Sequence, residues 1–213
     1  YKSGYETSKN ELVLRAIGGA KELIKAWKVA QNLLEYQSAI ATETKKMVQI
    51  AKAINPNCEV LTTRKSVPLT KKLSIKSILA GGAYPHRLGV SETILIFLEH
   101  MNIYGGVEKI LHEFSEIKSR AVEKKVAIEL KSSEYAIKFA EKGVDIIQFD
   151  KLEIDELNKI TPILKEINQD IKILSAGGIN LQNIEHHVKS GVDGVVLSAV
   201  YFAKPIDIKV EII

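Results

Sequence analysis

Cysteine is nearly absent from this chain: Cys58 is the single one among 213 residues. An internal disulfide framework is thereby excluded, and a reducing compartment fits. Apolar runs are short, none approaching the roughly 20 residues needed to cross a bilayer, so no membrane insertion is expected. No signal peptide is visible in a chain that opens at Tyr1, and a cytoplasmic protein is the expectation. Excess charge is small, since 30 basic against 26 acidic residues leave +4. That is too mild to argue for nucleic acid, and no nucleic-acid partner is expected.

Acidic residues are missing from one place in particular. Between Val60 and Ser91 there is none, while Arg64, Lys65, Lys71, Lys72, Lys76, His86 and Arg87 fall inside that window. Uncompensated positive charge suits a polyanionic small molecule, a nucleic acid or simply a solvated face. Position has to decide among them.

Residues 1–19 are weakly patterned, with a Ser3-Gly4 turn signal and the run Leu12-Val13-Leu14, and read as one or two small strands. From Ala20 the spacing of Leu23, Ile24, Trp27, Ala30, Gln31 and Leu34 predicts a helix, with a possible break near Ala39, ending at Asn55-Pro56-Asn57. Lys28 on this helix is explained on pattern alone as a solvated lysine.

Beyond Asn57 strand and helix alternate. Candidate strands are Glu59 to Thr63, Ile94 to Leu98, Val126 to Leu130, Asp145 to Phe149, Ile171 to Leu174 and Gly194 to Leu197, nearly continuous apolar runs of the kind buried on both faces. Helices are expected at Leu73 to Leu79, Val107 to Ser119, Glu134 to Lys142, Ile154 to Asn168 and Asn183 to Lys189. Two of them end in Gly-Val-Asp, at Gly143 to Asp145 and Gly191 to Asp193, where glycine supplies the left-handed residue that stops a helix. The fold class is therefore α/β: a parallel barrel of about six strands, preferred over an open parallel sheet.

The residues just past each strand give the useful test, because barrel enzymes place their chemistry at the strands' carboxyl ends. Arg64-Lys65 come after the first, Glu99-His100 after the second, Asp150-Lys151 after the fourth, Ser175-Ala176-Gly177-Gly178 after the fifth and Ser198-Ala199 after the sixth, with Glu129 at the end of the third. Ser175, Gly177 and Gly178, with a helix start expected near Leu181 or Gln182, suit a phosphate, and Ser198-Ala199 would form the adjacent lip. Glu129 and Asp150 could hold Mg²⁺ through water and stabilise developing positive charge. Arg64, Lys65, His86 and Arg87 would face carboxylates or a pyrophosphate. Taken singly, a polar strand end is more simply a cap or a turn. The conjunction carries the reading.

Several segments then match a family. Asn32-Leu33-Leu34, Ser38 to Thr42, Thr63-Arg64-Lys65-Ser66, Gly81-Gly82, His86-Arg87-Leu88-Gly89, Gly177-Gly178-Ile179 and Gly191-Val192-Asp193 resemble nicotinate-nucleotide pyrophosphorylase, also called quinolinate phosphoribosyltransferase. Trp27 to Asn32 and His86 to Leu95 look more like its ModD branch, encoded with molybdate-transport proteins. The resemblance implies an incomplete α/β barrel (here residues 57–204) beside a partial N-terminal α/β sandwich (residues 1–56). Residues 205–213 would return to the sandwich as an edge strand. It further implies phosphoribosyl pyrophosphate as donor, a small aromatic acceptor, Mg²⁺, and a homodimer or higher homo-oligomer with shared sites. Lys65, Glu129 and Asp150 match the catalytic set, Arg64, His86 and Arg87 the substrate cations.

Two departures from that family bear on the acceptor. Lys28 stands where an arginine grips the aromatic dicarboxylate from a neighbouring subunit, keeping the charge without the bidentate fork. Phe97 stands where a lysine faces the acceptor's carboxylate, so the substrate pocket should disfavour quinolinate and suit a flatter or less charged ring. Two readings stay open: a transferase for another acceptor, or a non-catalytic accessory or anion-sensing protein tied to molybdate handling.

Overall fold

The structure, a computed structural model, describes residues 1–89 and 92–213. Val90 and Ser91, part of the His86 to Leu95 stretch, lie outside the described residues.

Seven strands form one all-parallel sheet: β1 (Glu59–Thr62), β2 (Tyr84–Pro85), β3 (Ile94–Ile96), β4 (Val126–Leu130), β5 (Ile146–Asp150), β6 (Lys172–Ala176) and β7 (Gly194–Leu197). Their order, β2-β1-β7-β6-β5-β4-β3, is the chain order bent into a ring. The result is a curled partial barrel with a seam between β2 and β3, which are not paired among the described residues. The sequence pattern predicts six strands. It overlooks β2, a two-residue edge strand that ends in Pro85, where a missing N–H is tolerated.

Helices cover the outside of the sheet: α1 (Ala20–Ile54), α2 (Lys71–Ala80), α3 (Leu98–Tyr104), α4 (Val107–Arg120), α5 (Ala136–Glu141), α6 (Ile154–Ile167) and α7 (Ile184–Lys189), with the 3₁₀ turn η1 (Ala199–Phe202) closing the rim. The expected strand to Leu98 stops at Ile96. Phe97 O instead accepts from Met101 N at 3.0 Å and starts α3, because burying Met101 against the core favours a helical turn there. Nor does α1 break at Ala39. Ala39 and Ile40 are buried, and no glycine or proline interrupts the helix.

The buried residues of α1, Ala39, Ile40, Thr44, Met47 and Ala51, all lie in its second half. The first half leaves Ile24, Val29, Leu33 and Tyr36 exposed, and before it Leu12, Leu14 and Ile17 are exposed too. Residues 1–19 contain turns and no strand, correcting the expected small strands. Residues 206–213 form no edge strand either. They run along α1, where Ile206 N donates to Glu35 O (3.3 Å) and Gln31 Nε2 donates to Ile208 O (2.8 Å).

Strand alternation sorts the sheet into two apolar layers. Val60, Ile96, Ile128, Ile147, Phe149, Ile173, Val195 and Leu197 face the helices in the main core. Leu174, Ala176 and Val196, with Leu61 and Ile146, fill the inside of the curl. The two Gly-Val-Asp repeats anchor the opposite, amino-terminal rim. Asp145 accepts from Val126 N (2.8 Å) and pairs with Lys118. Asp193 accepts from Ile173 N (2.8 Å) and pairs with Lys165. Gly143 and Gly191 hold the expected positive φ. Cys58 is buried in the main core, where desolvation pushes its thiol up to about 12, so it is unreactive. Among the described residues no helix is long and apolar enough to cross a membrane.

Candidate functional site

Backbone bonds place the strand ends beside one another around the carboxyl rim. His86 N donates to Thr62 O (2.9 Å), Thr63 N to Leu197 O (2.9 Å) and Lys151 N to Ala176 O (2.8 Å). So His86-Arg87 sit next to Thr63-Arg64, these next to Ser198-Ala199, then Gly177-Gly178, then Asp150-Lys151. Glu129 pairs in register with Gln148, two residues before Asp150. The circle closes at the seam, where the Arg87 guanidinium lies 5.7 Å from the Phe97 ring centroid. The expected rim cluster therefore exists in space.

Its two halves differ in charge. Arg64 and Lys65 are exposed just past β1, the Lys65 N–H turned onto Thr63 Oγ1 (3.2 Å). Lys71 holds the loop between His86 and Glu92 by donating to Leu88 O (2.6 Å), and Glu92 accepts from Leu88 N (2.7 Å). Burial, then the nearby Arg87 charge, lowers His86 to about 4. The fold thus favours His86 as a neutral imidazole, leaving Arg64, Lys65 and Arg87 to carry the charge of this half. Arg87 is lowered by burial and by Arg64, yet an arginine remains charged.

Opposite stand the acids. Glu129 and Asp150 lie on the inner face of adjacent strands, as alternation with Ile128 and Phe149 requires. Burial raises Glu129, a hydrogen bond from Gln148 Nε2 opposes that, and Asp150 adds to the rise. Sequence reasoning missed Gln148, although a lone polar residue inside Ile146-Ile147-Gln148-Phe149 was there to be seen. No cluster of three His, Cys, Asp or Glu side chains capable of holding a metal exists among the described residues. Two neighbouring carboxylates suit Mg²⁺ where substrate oxygens and water complete its octahedron.

Gly177 and Gly178 have φ of +86° and +73°, and a Cβ on Gly177 would meet Asp150 Oδ1 at 2.4 Å and Lys151 Cγ at 2.5 Å. Lys151 holds a positive φ of +59°, rare for a lysine. Asn180 and Asn183 side-chain amides both donate to Gly178 O (3.2 and 3.1 Å), fixing the turn. Among the described residues, the N–H groups of Gly177, Gly178, Ser198 and Ala199 donate no hydrogen bond. Such amides suit an anion. The expected helix start at Leu181 or Gln182 is corrected: α7 begins at Ile184 and is short, so the loop amides act without it. Ser175 is corrected as well. It is fully buried on the helix-facing side, its hydroxyl 2.8 Å from His187 Nδ1, and no part of its side chain reaches the rim.

Phe97 lies half-buried at the rim, stacked on His100 at 5.3 Å, and outside both apolar cores. Lys28 is far along the exposed half of α1, over the Trp27 ring at 4.4 Å, and meets none of the rim residues within one chain.

Known proteins resemble this chain in sequence and in fold. Residues 40–211 match the family described as quinolinate phosphoribosyl transferase, C-terminal domain. The chain is 37% identical over 211 residues to a Pasteurella multocida protein named as a ModD pyrophosphorylase, covering 99% of this chain and 75% of that one. A Rhodobacter capsulatus protein of the same name is 33% identical over 183 residues, covering 85% and 69%. The crystal structure of NadC from Streptococcus pyogenes superposes with a TM-score of 0.83 at 26% identity, covering 97% of this chain and 70% of that one.

Proposed function

The chain belongs to the quinolinate phosphoribosyl transferase family, and on that premise we propose that it transfers the phosphoribosyl group of phosphoribosyl pyrophosphate to a ring nitrogen of a small aromatic acceptor other than quinolinate. One observation carries the reading: a single rim sets Arg64, Lys65 and Arg87 on one side and the inward carboxylates Glu129 and Asp150 on the other. Anion binding alone gives no reason for two acids in a basic cup.

The chemistry asks for that division. The bond from ribose C1 to the pyrophosphate oxygen breaks, and pyrophosphate leaves with the electron pair. The acceptor's ring nitrogen then forms the new bond to C1. Between these events C1 carries positive charge, which Glu129 and Asp150 stabilise while the cations receive the departing anion. The loop amides of Gly177, Gly178, Ser198 and Ala199 hold the 5′-phosphate. Mg²⁺, held by Glu129 and Asp150 through water, would supply further neutralisation of the pyrophosphate. His86, neutral, donates or accepts a hydrogen bond without adding charge.

Phe97 and Lys28 set the acceptor. A ring in place of a cation removes a partner worth about 1.5–3 kcal/mol for a carboxylate, so quinolinate is poorly served. The exposed apolar half of α1 suits a homodimer in which Lys28 reaches a partner's site. We place this protein in the cytoplasm.

Calorimetric titration with phosphoribosyl pyrophosphate and Mg²⁺, followed by pyrophosphate release with a panel of pyridines, tests the reading. Binding of the donor, with turnover on some ring but not on quinolinate, is expected. Stabilisation by molybdate with no binding of the donor would replace it by the accessory reading.

A further inference from the structure

Gln148 is 4% exposed, yet its Oε1 has no hydrogen-bond partner among the described residues. Such an orphan costs about 1–3 kcal/mol, enough to ask what completes it. The other two orphans, Thr44 and Thr161, are hydroxyls on α1 and α6, behind the sheet. Gln148 alone is on β5.

Alternation fixes its direction. Ile147 and Phe149 belong to the main core, so Gln148 points with Ile146 and Asp150 into the curl. Its register partners are Glu129 on β4 and Leu174 on β6. The amide cannot turn over freely, because Nε2 donates to Glu129 Oε2 and the reversed amide would set oxygen against a carboxylate. An acceptor oxygen is thereby held beneath the rim, sealed from solvent and beside Leu174. Phe97 is the neighbour on the other side of Glu129, since Ile96 pairs with Ile128 just before them.

We propose that Gln148 determines acceptor specificity: Nε2 positions Glu129, and Oε1 accepts from an N–H or O–H on the edge of the aromatic acceptor. The inference rests on the transferase reading and narrows it. The acceptor is a heteroaromatic ring bearing a hydrogen-bond donor, whereas quinolinate at neutral pH offers only acceptors. A ribose hydroxyl offers the same chemistry from a different source, and the experiment separates the two.

The full-length protein and Gln148→Met, whose side chain keeps the shape without the amide, are titrated with 2-aminopyridine-3-carboxylate and with pyridine-2,3-dicarboxylate. Gln148→Leu serves as a second variant. Phosphoribosyl pyrophosphate with Mg²⁺ is titrated separately into each. The unaltered protein should prefer the amino ring, and the variants should lose about tenfold of that preference, whatever loss of phosphoribosyl pyrophosphate affinity follows from releasing Glu129. An unchanged preference, no binding of the amino ring, or a preference for the dicarboxylate in the unaltered protein overturns the proposal. Weaker phosphoribosyl pyrophosphate binding in the variants with the ring preference unchanged also overturns it, by naming the ribose as the source. Should the unaltered protein fail to bind phosphoribosyl pyrophosphate at all, the transferase reading falls, a result distinct from these.

Discussion

Arg87 and Phe97 meet across the seam of the barrel, guanidinium to ring centroid 5.7 Å, where no ladder joins β2 to β3 among the described residues. The contact closes the rim by a cation over a ring face instead of by backbone pairing. It also sets the half proposed for the acceptor beside the half proposed for the donor. Phe97→Lys therefore has two effects. It offers quinolinate a charged partner, and it brings a like charge to Arg87. Calorimetry should show quinolinate binding roughly tenfold tighter than to the unaltered protein, with phosphoribosyl pyrophosphate affinity little changed. Tight binding and turnover of quinolinate by the unaltered protein would refute the acceptor argument.

Gly177 is confined by Asp150. A methyl group there would come within 2.4 Å of Oδ1 and 3.0 Å of Lys151 N. Gly177→Ala must displace the carboxylate, so turnover should fall by at least tenfold while the thermal midpoint drops only a few degrees. Gly178 faces open space, and Gly178→Asp should abolish phosphoribosyl pyrophosphate binding through its charge. Unchanged affinity in Gly178→Asp would remove the phosphate assignment.

Lys151 keeps a left-handed backbone at a cost of about 1–2 kcal/mol. Asparagine tolerates that conformation better. Lys151→Asn should stabilise the fold by up to about 1 kcal/mol in urea unfolding and weaken phosphate binding by removing a cation beside the glycine turn. A variant neither more stable nor weaker for phosphate would show that the strain at this position serves nothing.

His86 makes stability depend on acid. Its folded-state value, about 4, lies below the ordinary 6.5, so the fold favours the neutral ring. That contribution is whole above about 6.5 and is lost as pH falls toward about 4, because the unfolded chain takes up the proton first. Denaturation midpoints measured at pH 7, 5.5 and 4.5 should fall more steeply for the unaltered protein than for His86→Gln. Parallel curves would mean that His86 stays solvated.

The first half of α1 predicts assembly. Light scattering at micromolar concentration should give a dimer or larger, and Ile24→Glu with Val29→Glu should shift it to monomer. A monomeric unaltered protein would leave Lys28 without a role.

Much of the rim was legible because buried parallel strands write themselves as apolar runs, and the residue after each run is the rim. Arg64, Glu129, Asp150 and Gly177 emerge directly. Side-chain direction was not legible at Ser175: period two says that neighbours face opposite ways, not which of them faces in. The charge on His86 depends on burial by residues distant in sequence. Tyr84-Pro85 is too short to carry any period, and Leu98 belongs to a helix because Met101 needs the core. Gln148 was readable, as an interruption in an apolar strand, but it gained meaning only when Glu129 stood beside it.

The pairing of β1 with β7 has a kinetic consequence. The strands from β3 to β7 each pair with the next one in the chain and can zip in order of synthesis. β1 and β2 can pair with each other early, but β1 must wait for β7 before the pair joins the rest of the sheet. Closing so long a loop is entropically slow. The basic loops carried by β1 and β2 thus join the acids late, once β7 has left the ribosome. Until then a nascent chain displays the exposed edges of an unfinished sheet, which makes this last docking the step most open to aggregation.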